Sequence, residues 1–492
     1  YNALAADTLG STSTAIGYAA LETQNFTSAE NSLNTAVGYL AGTAVTTGRQ
    51  NVIVGAQTGD ALTTGELNVA VGQNALSADT RGNRSVAIGN SALRNQNFTN
   101  ATDNYNVAVG YSAGLSVTTG VQNTIIGALA GDALTTGSEH VALGYGALTD
   151  ATTATGNVAI GHEASANITT GSNNVSLGKL ALYTLTTGGQ NVSIGSQALR
   201  LLTSGSNNVG VGHTAGKAFT TGHSNVAVGF ESLLTEDTGR KNVAVGFETL
   251  KVQNSDADNF NTAVGYQAGK AVTTGTLNTL IGGLAGDAIT TGASNVAVGY
   301  LALSDTTTGA DNTAVGELAL ANNTTGFRNV ALGSSALSTK TTGNDNVAIG
   351  TSSLYATTTA SNNIAVGTGA LEANTTGTSN VAVGHRTLDA NTTAPNNTAV
   401  GYQALTANTT GDTNVAIGKD SMLANTTGTN NTALGSRSLQ SNTTAANNVA
   451  VGDLALGNNT TGGTNTALGT NALQANTTAS NNTAVGYKAG YS

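Results

Sequence analysis

Cysteine and tryptophan are absent from this chain of 492 residues, proline occurs once, and aromatic residues make up only 4%. Without cysteine there is no disulfide framework, which leaves the compartment open because a long ladder of stacked coils needs no staple. With so few aromatics and 64 glycines, no large compact core can be assembled, and burial must be thin and linear. Charged residues reach only 9%, and the net charge of −10 is spread without any basic run. That distribution argues against nucleic acid and anionic membrane surfaces as partners. No apolar run reaches membrane-spanning length, so no membrane insertion is expected in this segment, and no signal peptide is visible.

What the chain has instead is one phrase. It reads Asn397-Thr398-Ala399-Val400-Gly401, Tyr402-Gln403-Ala404-Leu405, Thr406-Ala407-Asn408-Thr409-Thr410-Gly411, and begins again at Asn414. With the glycine after the aliphatic residue as position 0, there are 28 copies from Gly17 to Gly486, and 24 of the 27 intervals are 17 residues long. A period of this size, sustained end to end, means coils that bury their apolar face only against neighbours. It also accounts for the scarcity of charge. Copies of a position lie about 4.8 Å apart in adjacent coils, where like charges repel by roughly 1 kcal/mol even at the dielectric of water.

The residue at −1 is Val, Ile or Leu in all 28 copies, that at −3 is Val, Thr or Ile, and between them lies Ala, Ser or Gly in 25. This alternation predicts a short strand with its aliphatic residues inward, and the glycine predicts a corner at positive φ. Leu at +4 in 18 copies predicts a second strand. Gly replaces it in eight copies, and in the seven of these that the chain completes an apolar residue follows three positions on, as in Gly42/Val45 and Gly216/Phe219. Both sites should therefore fill the same interior space. The expected fold is all-β: a parallel β-roll or β-solenoid of about 28 coils with two short strands each, and a rod of roughly 130 Å at the inter-strand spacing. Its repeat glycines include Gly350, Gly367, Gly384, Gly401, Gly418 and Gly435, and its core Val366, Leu371, Val383, Leu388, Val400 and Leu405. Asn at −4 in 25 copies, including Asn346, Asn363, Asn380, Asn397, Asn414 and Asn431, suits a structural ladder at a corner, with a polar binding face as the alternative.

Residues 1–492 read as a single continuous segment of a longer polypeptide, since the chain opens in register and stops mid-unit at Ala489-Gly490-Tyr491-Ser492. Longer turns interrupt it near 22–33, 94–105 and 251–260. Each carries Gln-Asn, and each precedes two Gly-type coils, the second with a bulky residue at −2: Ile53, Ile125 or Leu280. Either Phe26, Phe98 and Phe260 cover apolar surface near those residues, or the association is inherited without contact. From residue 306 on, Asn-Thr-Thr turns at Asn323, Asn374, Asn391, Asn408, Asn425, Asn442, Asn459 and Asn476 are formal N-glycosylation acceptors.

Catalytic chemistry is missing. His140, His162, His213, His223 and His385 lack metal-ligand spacing, no phosphate loop or repeated calcium turn occurs, and no cofactor or enzymatic role is expected. The units Ser85-Val86-Ala87-Ile88-Gly89 and Asn346-Val347-Ala348-Ile349-Gly350 resemble the head repeats of trimeric autotransporter adhesins and are similar to repeats of phage tail-fibre shafts, across essentially the whole chain. The repeat departs from the adhesin pattern in being 17 rather than about 14 residues long. The resemblance implies a left-handed roll, a homotrimer and an extracellular cell-surface or virion location. A row of outward Ala, such as Ala348, Ala365, Ala382 and Ala399, would admit a second chain. The expected function is the structural shaft of a fibre. The alternative is a carbohydrate-binding adhesin that takes a host glycan on stacked Asn/Thr faces, with an ice-binding Thr face ranked lower because Thr409-Thr410 are consecutive.

Overall fold

A computed structural model describes residues 1–491; Ser492, the last residue of the partial final unit, lies outside them. The chain forms two compact units, one of residues 1–242 with 254–257, the other of residues 243–253 with 258–491. Each is a parallel β-solenoid. The first contains thirteen three-residue strands from Thr14–Ile16 to Val226–Val228, and the second fifteen from Val243–Val245 to Thr483–Val485. Pairing is in strict register at the repeat spacing, as in Thr398 with Val415, Ala399 with Ala416 and Val400 with Ile417.

The strand faces the opposite way from the expectation. Ala348, Ala365, Ala382 and Ala399 are fully buried, whereas Val366 and Val400 are half-buried and Val383 is 36% exposed. Leu371, Leu388 and Leu405 do form the core, each at 0% exposure. The reason is thickness: Leu at +4 reaches across the coil and leaves room for only a small side chain, Ala or Ser, from the strand. At Gly210, a Cβ would lie 2.7 Å from Leu199 Cγ, so even alanine is too large beside that leucine.

Among the described residues the second expected strand is absent. The segment after the glycine is a run of turns with left-handed residues at +2 and +4, as at Gln403 (φ 54°) and Leu405 (φ 56°). Its amides still bond along the axis in alternating directions, Gln403 N–H to His385 O at 3.1 Å and Leu405 N–H to Ser421 O at 2.9 Å. A left-handed non-glycine residue costs about 1–2 kcal/mol, comparable to the roughly 1.5–3 kcal/mol from burying a leucine. Glycine at +4 is free of that cost. Its replacement of Leu is tolerated where Val45, Leu62, Val117, Leu134, Phe219, Val272 or Ile289 refills the core, and all seven are buried.

The bulky residues at −2 belong to the same accommodation. Ile53 is fully buried and fills the space over Gly42 and Gly59, as Ile125 does at Gly114 and Gly131 and Leu280 at Gly269 and Gly286. Phe26 and Phe98 are buried, with Phe26 closing over Gly10, but Phe260 is 49% exposed. The longer turns are instead anchored by polar groups. Gln96 donates to Asp79 Oδ2 (2.7 Å) and Ser85 Oγ (2.8 Å) and accepts from Asn106 (2.8 Å), while Asp79 Oδ1 accepts the amides of Gly82 and Phe98. Burial pushes the Asp79 carboxyl up despite these donors. Asp7 with Gln24 repeats the arrangement. The glutamine thus supplies the acceptor that a missing ladder Asn, replaced by Ser13 or Ser85, would have given. Two of these turns also pair with the preceding coil through short parallel strands, Glu30–Asn31 with Gly10–Ser11 and Thr102–Asp103 with Gly82–Asn83.

Candidate interaction face

Asn346, Asn363, Asn380, Asn397, Asn414 and Asn431 are fully buried and form an internal ladder. The Oδ1 of Asn397 accepts the backbone N–H of Asn414 at 2.9 Å, and its Nδ2 donates to Gly411 O at 3.0 Å. Each of these six rungs repeats that logic, so the row is structure and offers no polar face to a ligand. Where the rung is His140, the ring imitates the amide. Its Nδ1 lies 3.2 Å from the Asn157 N–H and its Nε2 lies 2.8 Å from Ala154 O, which requires the neutral tautomer with hydrogen on Nε2. Burial lowers the His140 pKa below its ordinary 6.5.

As pH falls through about 6.5 the unfolded chain takes up the proton first, so the folded state loses stability until the depressed folded pKa is reached. His140→Asn should abolish this loss. Hydrogen exchange of the Asn157 amide between pH 8 and 5 checks it: protection should fall with pH in the wild type relative to the variant, and parallel profiles would refute the tautomer assignment.

The Asn-Thr-Thr acceptors are also internal. Asn323, Asn374, Asn391, Asn408, Asn425, Asn442 and Asn459 are fully buried, and Asn476 is half-buried. Asn391 Nδ2 donates to Asn374 Oδ1 at 2.9 Å and Asn408 Nδ2 to Asn391 Oδ1 at 3.0 Å. The nitrogen that a glycan would occupy is engaged in a second ladder, so the expectation of glycosylation does not fit the folded coils. Of the two threonines that follow, the first donates to a carbonyl one coil on, as Thr409 does to Thr426 O, and the second, Thr410, is exposed.

In each unit the outer surface of the sheet is an apolar face that sequence reasoning missed. It carries positions −3 and −1, and neither holds a charged residue in any of the 28 coils. Ile88, Leu143, Leu177, Leu332, Leu434 and Leu468 are each between 38% and 47% exposed along it. Beside it runs position +1, where aromatic and imidazole rings of adjacent coils stack: Tyr18 on Tyr39 (5.5 Å), Tyr145 on His162 (5.4 Å), His213 on Phe230 (5.6 Å), Phe247 on Tyr266 (5.4 Å) and His385 on Tyr402 (5.5 Å). Several charges in the neighbouring columns pair with opposite charge one coil away, as Arg328 with Asp345 (2.6 Å) and Arg49 with Glu30 (2.7 Å) and Glu66 (3.4 Å). The Arg328 guanidinium holds the Asp345 carboxyl below the usual range.

The repeat glycines Gly350, Gly367, Gly384, Gly401, Gly418 and Gly435 all have positive φ and stack in file. Among the described residues no group of three or more His, Cys, Asp or Glu could hold a metal ion, and no helix is long and apolar enough to cross a membrane. No signal in the sequence located the apolar face, since a buried and an outward aliphatic column both alternate with period two and both lack charge. No protein-family model matches the chain, and no curated protein matches it in sequence.

Proposed function

We propose that the protein is the structural shaft of an extracellular fibre, on a cell surface or a virion, in which copies of the chain pack side by side through the aliphatic face of the sheet. The uncharged outward stripe carries this reading. Fully burying a side chain of this kind removes roughly 60–120 Å² from water, so two residues, most of them half-buried in the first unit, leave on the order of 50 Å² per coil. Over the thirteen coils of the first unit this is about 650 Å², above the few hundred Å² a monomer usually leaves contiguous. It approaches the ~800 Å² per partner of a standard interface. The number of copies, three, follows the resemblance of the repeats to trimeric adhesin heads. The inward alanines have no part in the contact, and the aromatic column at +1 lies at its rim.

Sedimentation of the full chain tests the assembly. The wild type should sediment as a trimer. A variant with Val366→Lys, Val383→Glu and Val400→Lys, whose alternating charges can pair along the column as Arg328 and Asp345 do, should weaken the association with an unchanged circular dichroism spectrum. A wild type that is monomeric at micromolar concentration would rule the reading out.

A further inference from the structure

We infer that the turn segment after the corner glycine carries a binding site for one residue of a neutral saccharide, in a cleft between Tyr145 and Tyr183. The cleft measures about 180 Å³, room for about six water molecules at roughly 30 Å³ each, which is the scale of one pyranose ring. It is a local break in a periodic surface. Two neighbouring outward positions are small, Gly146 at +2 and Ala166 at +5, where the adjacent coils carry Leu129 and Glu163, and Thr149 and Tyr183. A Cβ on Gly146 would enter the gap, 3.2 Å from Thr149 Oγ1 and 3.4 Å from Glu163 Cγ. At Gly369, the other glycine of this column, side-chain atoms stand at similar distances (Glu372 Oε2 3.1 Å, Arg386 Cγ 3.4 Å), but the next coil carries Asp389 where Ala166 stands here.

The walls suit a polyol. Tyr145 is half-exposed and its ring is braced by His162 at 5.4 Å, and Tyr183 borders the same cleft. Aromatic faces take the C–H side of a sugar ring while edge groups take its hydroxyls. Those edge groups are the carboxylates of Asp150 and Glu163, which accept, and the amide of Asn167, which both donates and accepts. Thr149 donates its hydroxyl hydrogen to Gly146 O at 2.7 Å, leaving its oxygen to accept. The same two carboxylates would also attract a cation, which is the alternative occupant that the cationic probe tests. The site occupies positions +1, +2, +5 and +6, off the −3 and −1 columns, with only Tyr145 at +1 standing at the rim of the sheet face.

Titration calorimetry of the full chain with a panel of neutral methyl hexopyranosides, and with tetramethylammonium as the cationic probe, tests the inference. At least one glycoside should bind in the millimolar range, consistent with a small open site. Gly146→Leu should weaken it by about tenfold or more. This residue suits the column, since Leu129 and Leu180 sit in it at φ 57° and 58°. Tyr183→Ala should weaken it similarly, and Gly369→Leu should leave it unchanged. The site is refuted if no glycoside binds, if binding survives both Gly146→Leu and Tyr183→Ala, or if tetramethylammonium binds more tightly than every glycoside. Should Gly146→Leu fail to give the wild-type circular dichroism spectrum, Tyr183→Ala alone decides.

Discussion

Gly384→Ala should cost about 3 kcal/mol or more, a large effect for the addition of one methyl group. Gly384 has φ 139°, and a Cβ there would lie 2.3 Å from the carbonyl oxygen of Gly401, 2.7 Å from its carbon and 2.7 Å from Thr387 Oγ1. The carbonyl belongs to the next coil's own corner, which is stacked in turn on Gly418, so it cannot retreat without disturbing the file. Because each coil leans only on its neighbours, the damage should stay local and divide the cooperative unit. Gly369→Ala is the contrast. Its φ of 67° lies where this column already holds non-glycine residues, and a Cβ there meets only side-chain atoms of Glu372 (3.1 Å) and Arg386 (3.4 Å), so under about 1 kcal/mol is expected. Urea denaturation with hydrogen exchange across residues 380–405 measures both. Equal losses in the two variants would mean that stacked corners do not govern the fold.

Lys340→Asn should stabilise the protein, by on the order of 4 kcal/mol at pH 7. Lys340 is fully buried at the position of the second asparagine ladder, and its Nζ donates to Ala360 O at 3.3 Å. Burial pulls its pKa from 10.5 down to about 7, opposed by the charge of Asp345. Between about pH 7 and 10.5 the unfolded chain holds a proton that the folded chain does not, so stability rises with pH across that window, and the penalty is fully present below it. Asparagine removes the buried charge and can donate to Gly343 O, as Asn323 does to Gly326 O (3.0 Å) and Asn374 to Gly377 O (2.9 Å). Exchange of residues 337–345 from pH 6 to 10 should show alkaline stabilisation in the wild type and a flat profile in the variant. The same slope in both would place the ammonium in contact with water.

Much of this architecture was legible from spacing. The glycine file, the asparagine ladder and the exchange of Leu at +4 for an apolar residue at +7 follow from one-dimensional register, because identical positions in stacked coils must meet. The Asn-Thr-Thr turns misled for a related reason. A motif that signals glycosylation on an exposed loop is here a set of side chains turned into the coil, and turn chemistry alone does not say which way an asparagine points. The cleft beside Tyr145 was hidden because it joins residues from several coils and arises from two small side chains, which no motif marks.

By itself the sequence determined the period, the parallel stacking and the residues that recur in file, since each depends only on distance along the chain. The facing of the strand was a different matter. A Val-Ala-Val segment alternates equally well with either parity, and only the width of the folded coil, filled from the far side by left-handed leucines, turns the alanines in and leaves the aliphatic residues facing out.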